Sequence, residues 1–498
     1  MARKKQQNFA ERMIDNIKSG DRMIWIVAVM LMLLSLVAIF SSTSSHAIRT
    51  GISRTVIFSG QLGLVAVGVL VLVLMSAIPN IKYIKALSRL GFLVSLILLV
   101  MLVFNVNLGR MVHTINTNEA TRAIYLFGFT LQVYEVVKVA MVMYLSWALQ
   151  AYESNTLYFA NKWGTKYPEY LGWMKSAGAQ RLIYIYLPML ATVGLTFPGS
   201  TSSALMLGIV MGVTLIIGGL KFKHLLEIMV LGIAGIMMLV GMHIVSNGTV
   251  IKRMQTGFNR LGIELPYPDA AVREAQRSKI AAKTLDPERV YDADSPEFAE
   301  YRNKTLQNNS AELAFVQGGR RILGKGPGKS TQKYIVPLIF EDYMFSFLME
   351  EYGMLGCILV IALYLSLFAR GWIIVTNCMN RFAKSCVGGL VFLITFQAMF
   401  HILINCNVGI LTGQTLPMIS HGKSSFLCFT VAFGIILSVS KLANDKIKKE
   451  REHEQEMLAA DEITSNLQTV ESIDSQFEAM ENGEDLLSQE EKNDINDL

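Results

Sequence analysis

Long apolar runs separated by short polar connections dominate this chain. Ten such runs are seen, at 23–42, 54–78, 88–107, 124–150, 181–198, 202–219, 225–246, 343–370, 386–409 and 424–442. About 20 consecutive apolar residues in a helix cross the hydrocarbon layer of a membrane. The runs are continuous rather than alternating, which argues against a β-barrel. The pattern therefore predicts an all-α polytopic membrane protein of about ten transmembrane helices. The first run is too long for a secretory signal peptide and has no clean small-x-small cleavage site.

Charge then orients the helices. Basic residues crowd alternate connections: Lys4, Lys5, Arg12, Lys18 and Arg22 before the first run, then Lys82, Lys85 and Arg89, then Lys162, Lys166 and Lys175. The series continues with Lys221 and Lys223, with Arg370, Arg381 and Lys384, and with Lys441 through Arg451 after the last run. Short connections rich in Lys and Arg lie on the cytoplasmic side, which predicts two cytoplasmic termini and one large extracytoplasmic loop between spans 7 and 8. The expected divisions are a cytoplasmic N-terminus at 1–22, spans 1–7 within 23–246, the outer loop at 247–341, spans 8–10 within 342–442, and an acidic, disordered cytoplasmic tail at 443–498. Of the 498 residues 52% are hydrophobic and 17% charged, and the net charge of +6 averages basic inner loops against that tail. The five cysteines lie in or beside spans, so neither a disulfide framework nor a Cys/His metal spacing is expected.

The outer loop holds two notable stretches. "AAVREAQRSKIAAKT", 270–284, has good helix formers and predicts a surface helix. "QGGRRILGKGPGKSTQK", 317–333, is not a nucleotide-binding loop, because Gly326 follows Lys325 where Ser or Thr is required and no strand–helix unit surrounds it. Its lysines, Lys325, Lys329 and Lys333, beside free backbone N–H groups in a flexible loop suit either a bound anion such as pyrophosphate or plain solvation.

Acids at the edge of a membrane are the chemical signal. Glu341 and Asp342 precede the eighth run, and Glu350 and Glu351 lie two turns inside it. Asp342 has two readings: capping the orphan N–H groups of the helix that starts there, or acting as general base at the outer lip. Glu350 and Glu351 are expected to pair with basic residues and fix packing. In the fourth run Glu135 and Lys138 share a helical face, with Gln132 one turn earlier. They form a structural ion pair, the polar wall of a substrate cavity, or both. His401, inside the ninth run, reads as a packing residue. Pro417, Ser420, Gly422, Ser424 and Ser425 give a polar turn before the last run.

Three of these stretches resemble the SEDS family (shape, elongation, division and sporulation), its FtsW-like branch more than its RodA-like one. "GKGPGKSTQKYIVPLIFEDYMFSFLMEEYGMLG" supplies Gly324, Gly326, Gly328, Ser330, Gln332, Lys333, Pro337, Asp342, Glu350, Glu351 and Gly353. "RAIYLFGFTLQVYEVVK" supplies Arg122, Gln132, Glu135 and Lys138, and "LPMISHGKSS" supplies Pro417, Ser420 and Ser424. The chain departs from the family pattern at Leu338, at Val133, at His421-Gly422-Lys423 and in "PGSTS". The resemblance implies a peptidoglycan glycosyltransferase that polymerises lipid II at the outer face of the bacterial cytoplasmic membrane, at the division septum. It implies a class B penicillin-binding transpeptidase and other division proteins as partners. Asp342 is then the catalytic residue. Lys333, Arg122, Gln132, Glu135, Lys138, Ser330, Gln332, Pro417, Ser420 and Ser424 are the substrate-binding set. The sequence shows no dedicated metal cage, and a divalent cation, Mg or Mn, is an optional cofactor. Two rival readings of the same chain are a lipid II flippase and a non-catalytic scaffold for the transpeptidase.

Overall fold

The computed structural model describes residues 20–117, 120–248, 254–255, 258, 263–281, 296–336, 339–408 and 413–441. Helices occupy each apolar run. They are α1 (Arg22–Ser42), the short α2 (Ser44–Thr50), α3 (Arg54–Ser76) and α4 (Ile81–Val103). A three-stranded antiparallel sheet follows, β1 (Val112–Thr117), β2 (Ala120–Leu126) and β3 (Phe129–Gln132). Then come α5 (Val133–Glu153), α6 (Leu187–Thr196), α7 (Thr201–Ile217) and α8 (Phe222–Val245). The outer segment carries α9 (Ala270–Ala281) and α10 (Pro296–Gly319), and the chain continues through α11 (Met344–Asn377), α12 (Arg381–Asn405) and α13 (Lys423–Lys441). Among the described residues seven helices are long and apolar enough to cross a membrane, with α7 a shorter apolar helix. The expected helix at 270–284 is α9. The expected tail at 443–498 and Pro337 lie outside the described residues.

Polar residues at the heads of the apolar runs set where helices begin. Asp21 accepts from the N–H groups of Met23 and Ile24, Asn80 from Lys82, Ser200 from Ser203 and Asn380 from Ala383, each satisfying an otherwise orphaned donor. The fifth run is a composite: a π-helical turn at Leu182–Tyr186 leads into α6, whose second residue is Pro188. Pro188 has no N–H to give, and the wider turn accommodates it.

One expectation is corrected. The run at 124–150 is not a helix from its start. Residues up to Gln132 are strand, and the helix begins at Val133. Phe127 and Gly128 both have positive φ, 47° and 92°, as a two-residue hairpin turn of type I′ demands. The sheet lies over the end of α4, where Thr121 Oγ1 donates to Leu102 O at 3.1 Å.

The centre of the bundle is α5, packed against α4, α7 and α12. Its buried face, Val137, Met141, Leu145 and Leu149, meets Leu99, Met211 and Leu215. At Gly389 of α12 a Cβ would lie 2.5 Å from Thr214 Oγ1 and 2.6 Å from Val142 Cγ1, so glycine lets three helices converge. Small residues serve close helix contact in this way inside membranes, where apolar burial alone gives no drive to associate. The first and last spans start and finish together. The Asp21 N–H donates to Ser440 Oγ at 3.0 Å, and Asp21 also pairs with Arg370.

Candidate functional site

The Gly-rich loop is folded onto a break in α11. At Gly353 the helix is interrupted, with φ 63° and ψ −159°, a conformation open essentially to glycine alone. A break leaves backbone groups without partners, and in a membrane each is costly. The loop supplies them: Lys325 N–H and Gly326 N–H donate to Glu350 O and Glu351 O, both at 2.9 Å, and Leu355 N–H donates to Ile322 O at 3.1 Å. The approach needs glycine on both sides, because a Cβ on Gly324 would lie 2.5 Å from Gly353 N and one on Gly353 2.3 Å from Gly324 N.

The acids of α11 complete this clasp. Glu350 accepts from Lys325 Nζ at 2.5 Å, from Ser330 Oγ at 2.5 Å and from Thr331 N–H at 2.9 Å. Glu351 accepts from Ser41 Oγ at 2.6 Å, from Ser330 N–H at 3.3 Å and from Lys333 Nζ at 3.2 Å. Both glutamates and Lys333 are buried, and Lys333 Nζ also donates to Gly328 O at 2.8 Å. The expected pairing of Glu350 and Glu351 with basic residues is what the structure shows. The expectation of free N–H groups in this loop is not met. The N–H groups of Gly328, Lys329, Ser330 and Thr331 donate to Ser41 Oγ, Gly326 O, Glu351 and Glu350 respectively. Of the three lysines, Lys325 and Lys333 are enclosed in the clasp, while Lys329 is exposed.

Asp342 stands apart from this network. It lies in the turn ahead of α11, partly accessible yet surrounded by protein. A Cβ on Gly413 would come within 3.5 Å of its Oδ2. The capping reading fails here, because Asn405 of α12 does that work. Its Oδ1 accepts from Ser346 N–H at 3.0 Å and from Ser346 Oγ at 2.9 Å, while its Nδ2 donates to the Asp342 carbonyl at 3.2 Å. Asp342 is thus held by its backbone and its carboxylate is spared. Desolvation raises the Asp342 carboxyl, the neighbouring Glu341 charge adds to this, and Arg122 of β2 opposes it. The outcome is a pKa of about 7, close to the pH at which a general base works best.

The polar turn at 413–425 forms the other wall. Ser420 Oγ donates to Glu341 O at 2.8 Å and accepts from Leu416 N–H at 3.0 Å. Ser424 Oγ accepts from Gln132 N–H at 3.0 Å, fastening the sheet to the turn. The Pro417 carbonyl accepts from Tyr364 at 2.5 Å.

Glu135 and Lys138 lie elsewhere, in a buried polar cluster between α5 and α12. Lys138 Nζ donates to Glu135 Oε1 at 2.7 Å and to Gln397 Oε1 at 2.5 Å. Gln397 Nε2 donates to Thr415 O at 3.1 Å, and Gln414 Nε2 donates to Ser203 Oγ at 3.0 Å. His401 Nδ1 is 2.7 Å from Gln414 O, the packing role expected of it.

The residues named from sequence therefore divide three ways. Ser330, Gln332 and Lys333 belong to the clasp. Asp342, Arg122, Ser420, Ser424 and Gln132 gather around the rim, with Pro417 behind them. Glu135 and Lys138 form the heart of the buried cluster.

The FtsW/RodA/SpoVE family model, described as a cell cycle protein, matches residues 21–261 and 277–445. The chain belongs to this family. It is accordingly a multi-pass bacterial membrane protein. A probable peptidoglycan glycosyltransferase FtsW of Geobacter metallireducens is 26% identical over 328 residues, covering 64% of this chain and 70% of that protein. A probable FtsW of Synechocystis is 30% identical over 187 residues, 37% of this chain and 44% of that protein. The chain thus aligns with less than half the length of the Synechocystis relative. A chain of the solved structure "Structural coordination of polymerization and crosslinking by a peptidoglycan synthase complex" shares the fold. Its TM-score is 0.53 at 19% identity, over 85% of this chain and 98% of that one.

Within this FtsW/RodA/SpoVE chain several site residues escaped sequence reading. Asn405, Gln397, Gln414, Ser203 and Ser41 act through partners dozens to hundreds of positions away, and polarity inside an apolar run was the signal for all of them but Gln414, which lies between runs. Gln397 and Asn405 lie in the ninth apolar run, Ser203 in the sixth and Ser41 in the first.

Proposed function

We propose that this chain is a peptidoglycan glycosyltransferase that polymerises lipid II at the outer face of the cytoplasmic membrane, for septum synthesis. Family membership and the names of its relatives support the activity. The observation that carries the mechanism is Asp342: a carboxylate fixed by its backbone, relieved of capping, with no hydrogen bond donated to either oxygen by a described residue. With a pKa of about 7 it is partly ionised at neutral pH and retains affinity for a proton.

Asp342 takes the proton from the 4-hydroxyl of the acceptor sugar. That oxygen attacks the anomeric carbon of the donor with inversion, and the bond to undecaprenyl pyrophosphate breaks. Negative charge grows on the departing pyrophosphate. Arg122, the cation whose charge acts on Asp342, meets this charge. Gln132, Ser420 and Ser424 position the walls around the sugars. A divalent ion, Mg²⁺ or Mn²⁺, would be held chiefly by the substrate phosphates, because the described residues bring together no group of three His, Cys, Asp or Glu side chains and Asp342 is the base. Such an ion would add charge neutralisation at the pyrophosphate. A class B penicillin-binding transpeptidase is the proposed partner, as the peptidoglycan synthase complex of the similar structure suggests.

The test is polymerisation of labelled lipid II by the purified protein with its cognate transpeptidase, that partner's active serine removed. Glycan ladders from wild type and none from Asp342→Asn are expected. Ladders from both would remove Asp342 as base. Ladders from neither, with the partner bound, would overturn the polymerase.

A further inference from the structure

Two adjacent acids precede α11, and they are not equivalent. Asp342 is the proposed base. Glu341 acts on the same chemistry through its charge, which makes the Asp342 carboxyl harder to ionise. Like charges side by side disfavour the ionised form of each. A group that neutralises Glu341 therefore makes Asp342 easier to ionise.

His421 is placed to do this. Its Nδ1 lies 3.7 Å from Glu341 Oε1. Two hydrogen bonds pin the turn carrying it to the acidic segment: His421 N–H donates to Phe340 O at 2.9 Å, and the Ser420 hydroxyl donates to Glu341 O at 2.8 Å. The imidazole packs edge to face on Phe340, with ring centres 5.4 Å apart. Nδ1 is buried and makes no hydrogen bond, and 3.7 Å is too long for one. A neutral imidazole leaves this contact open, whereas an imidazolium turns it into an ion pair. The two side chains are 27% and 32% exposed, so both exchange protons with solvent while they feel each other's charge. Three other charged or titratable side chains stand around this corner. Lys423 is exposed two residues further on, Arg122 of β2 acts on Asp342, and His46 of α2 packs on Phe340 at 5.3 Å. Lysine and arginine ordinarily keep their charge where histidine changes state. Of the two histidines, His46 meets Phe340 and His421 meets Glu341.

We propose that His421 is a positioning residue for the reaction: once protonated it pairs with Glu341, cancels the like charge beside Asp342 and keeps the base ionised as the surroundings acidify. The proposal rests on the reading of Asp342 as general base. His421, Glu341 and Asp342 then titrate as a set rather than singly. His421 is also a position at which the chain departs from the family pattern, so the device is not carried over from the family.

The experiment takes two readouts from full-length protein in nanodiscs. One is the infrared band of the protonated carboxyl that Asp342→Asn abolishes, titrated without substrate. The other is the pH–rate profile of lipid II polymerisation with the partner bound. His421→Gln should move the infrared midpoint and the acidic limb to higher pH by about 0.2–0.7 unit, the range of a partly exposed charge pair. His421→Lys, which keeps a cation beside Glu341, should move both to lower pH. Glu341→Gln should also lower both, and adding His421→Gln to it should change neither further. A slower His421→Gln enzyme with both midpoints unmoved would reduce His421 to a support of the turn and overturn the proposal. So would an equal shift from His421→Gln in the Glu341→Gln background. If His421→Gln does not fold, His421→Lys decides, and a midpoint no lower than wild type overturns the proposal. The stated infrared shifts in a protein that makes no glycan would sink the polymerase reading alone. Glycan formation with an infrared midpoint indifferent to His421→Gln would sink the pairing alone.

Discussion

Two acidic stations stand eight residues apart in one stretch of chain, and their surroundings are opposite. Glu350 and Glu351 are buried, and each is met by a lysine, a hydroxyl and a backbone N–H. Asp342 is partly open, has a like charge beside it, and no described group donates a hydrogen bond to its carboxylate. A carboxylate whose lone pairs are filled is locked in place, so it organises backbone. A carboxylate whose surroundings penalise ionisation keeps its basicity. The clasp therefore serves geometry and the rim serves proton transfer, although both are written with the same residue types.

The sharpest way to break this contrast is substitution at each station. Asp342→Asn preserves shape and removes the base, so polymerisation should drop by about 10²- to 10⁴-fold, with thermal unfolding in detergent unchanged or raised. Glu351→Ala should behave in the reverse manner. It strands Lys333 in the interior, and breaking one partner of a buried pair costs about 3–5 kcal/mol. The double variant Glu351→Leu/Lys333→Met should recover much of that loss in an unfolding assay. A Glu351→Ala protein as stable as wild type would show that the clasp does not organise the loop.

Gly353→Ala comes next. Its backbone conformation costs a residue bearing Cβ about 1–3 kcal/mol, and the new atom would meet Gly324 N. The expected result is a lower unfolding temperature and a loop newly open to proteolysis near residue 326. The pH profile sharpens the other station. The base must be ionised, so polymerisation should fall about tenfold per unit as pH drops below about 7. Stability runs the other way. Folded Asp342 keeps its proton up to about 7 and unfolded Asp loses it near 4, so its contribution declines as pH rises through that window. Asp342→Asn should remove that part of the stability profile. A wild-type rate that stays flat from pH 8 to 5.5 would rule out the raised carboxyl as base.

Much of this was legible in the sequence. The helices follow from apolar runs with Asp, Asn or Ser at their heads, and Asp342 was visible as an acid that the membrane edge makes expensive. The strands at 120–132 were not, because apolar Ile124, Leu126 and Phe129 run straight into the helix beginning at Val133, and hydropathy does not separate a buried strand from a helix. The turn at Phe127–Gly128 was the available clue. The clasp was half legible. Lysines and glutamates could be expected to pair, but the choice of Glu350 for Lys325 and Glu351 for Lys333 depends on the helix break at Gly353. That Asn405 takes over the capping of α11 was beyond reach, since the two residues it joins, Ser346 and Asp342, lie about sixty positions away.

The smallest effect lies in the wall beside Asp342. Ser420 donates to Glu341 O and accepts from Leu416 N–H, so it holds the 413–421 turn against the segment carrying Asp342. Ser420→Ala loses both hydrogen bonds at a cost of about 1 kcal/mol each, small beside the clasp. Because Asp342 owes its raised pKa to enclosure, loosening this wall should admit water and move the acidic limb of the pH–rate profile downward. The maximal rate should fall only severalfold. A stability loss with the acidic limb left in place would mean that the turn supports the fold without shaping the environment of Asp342.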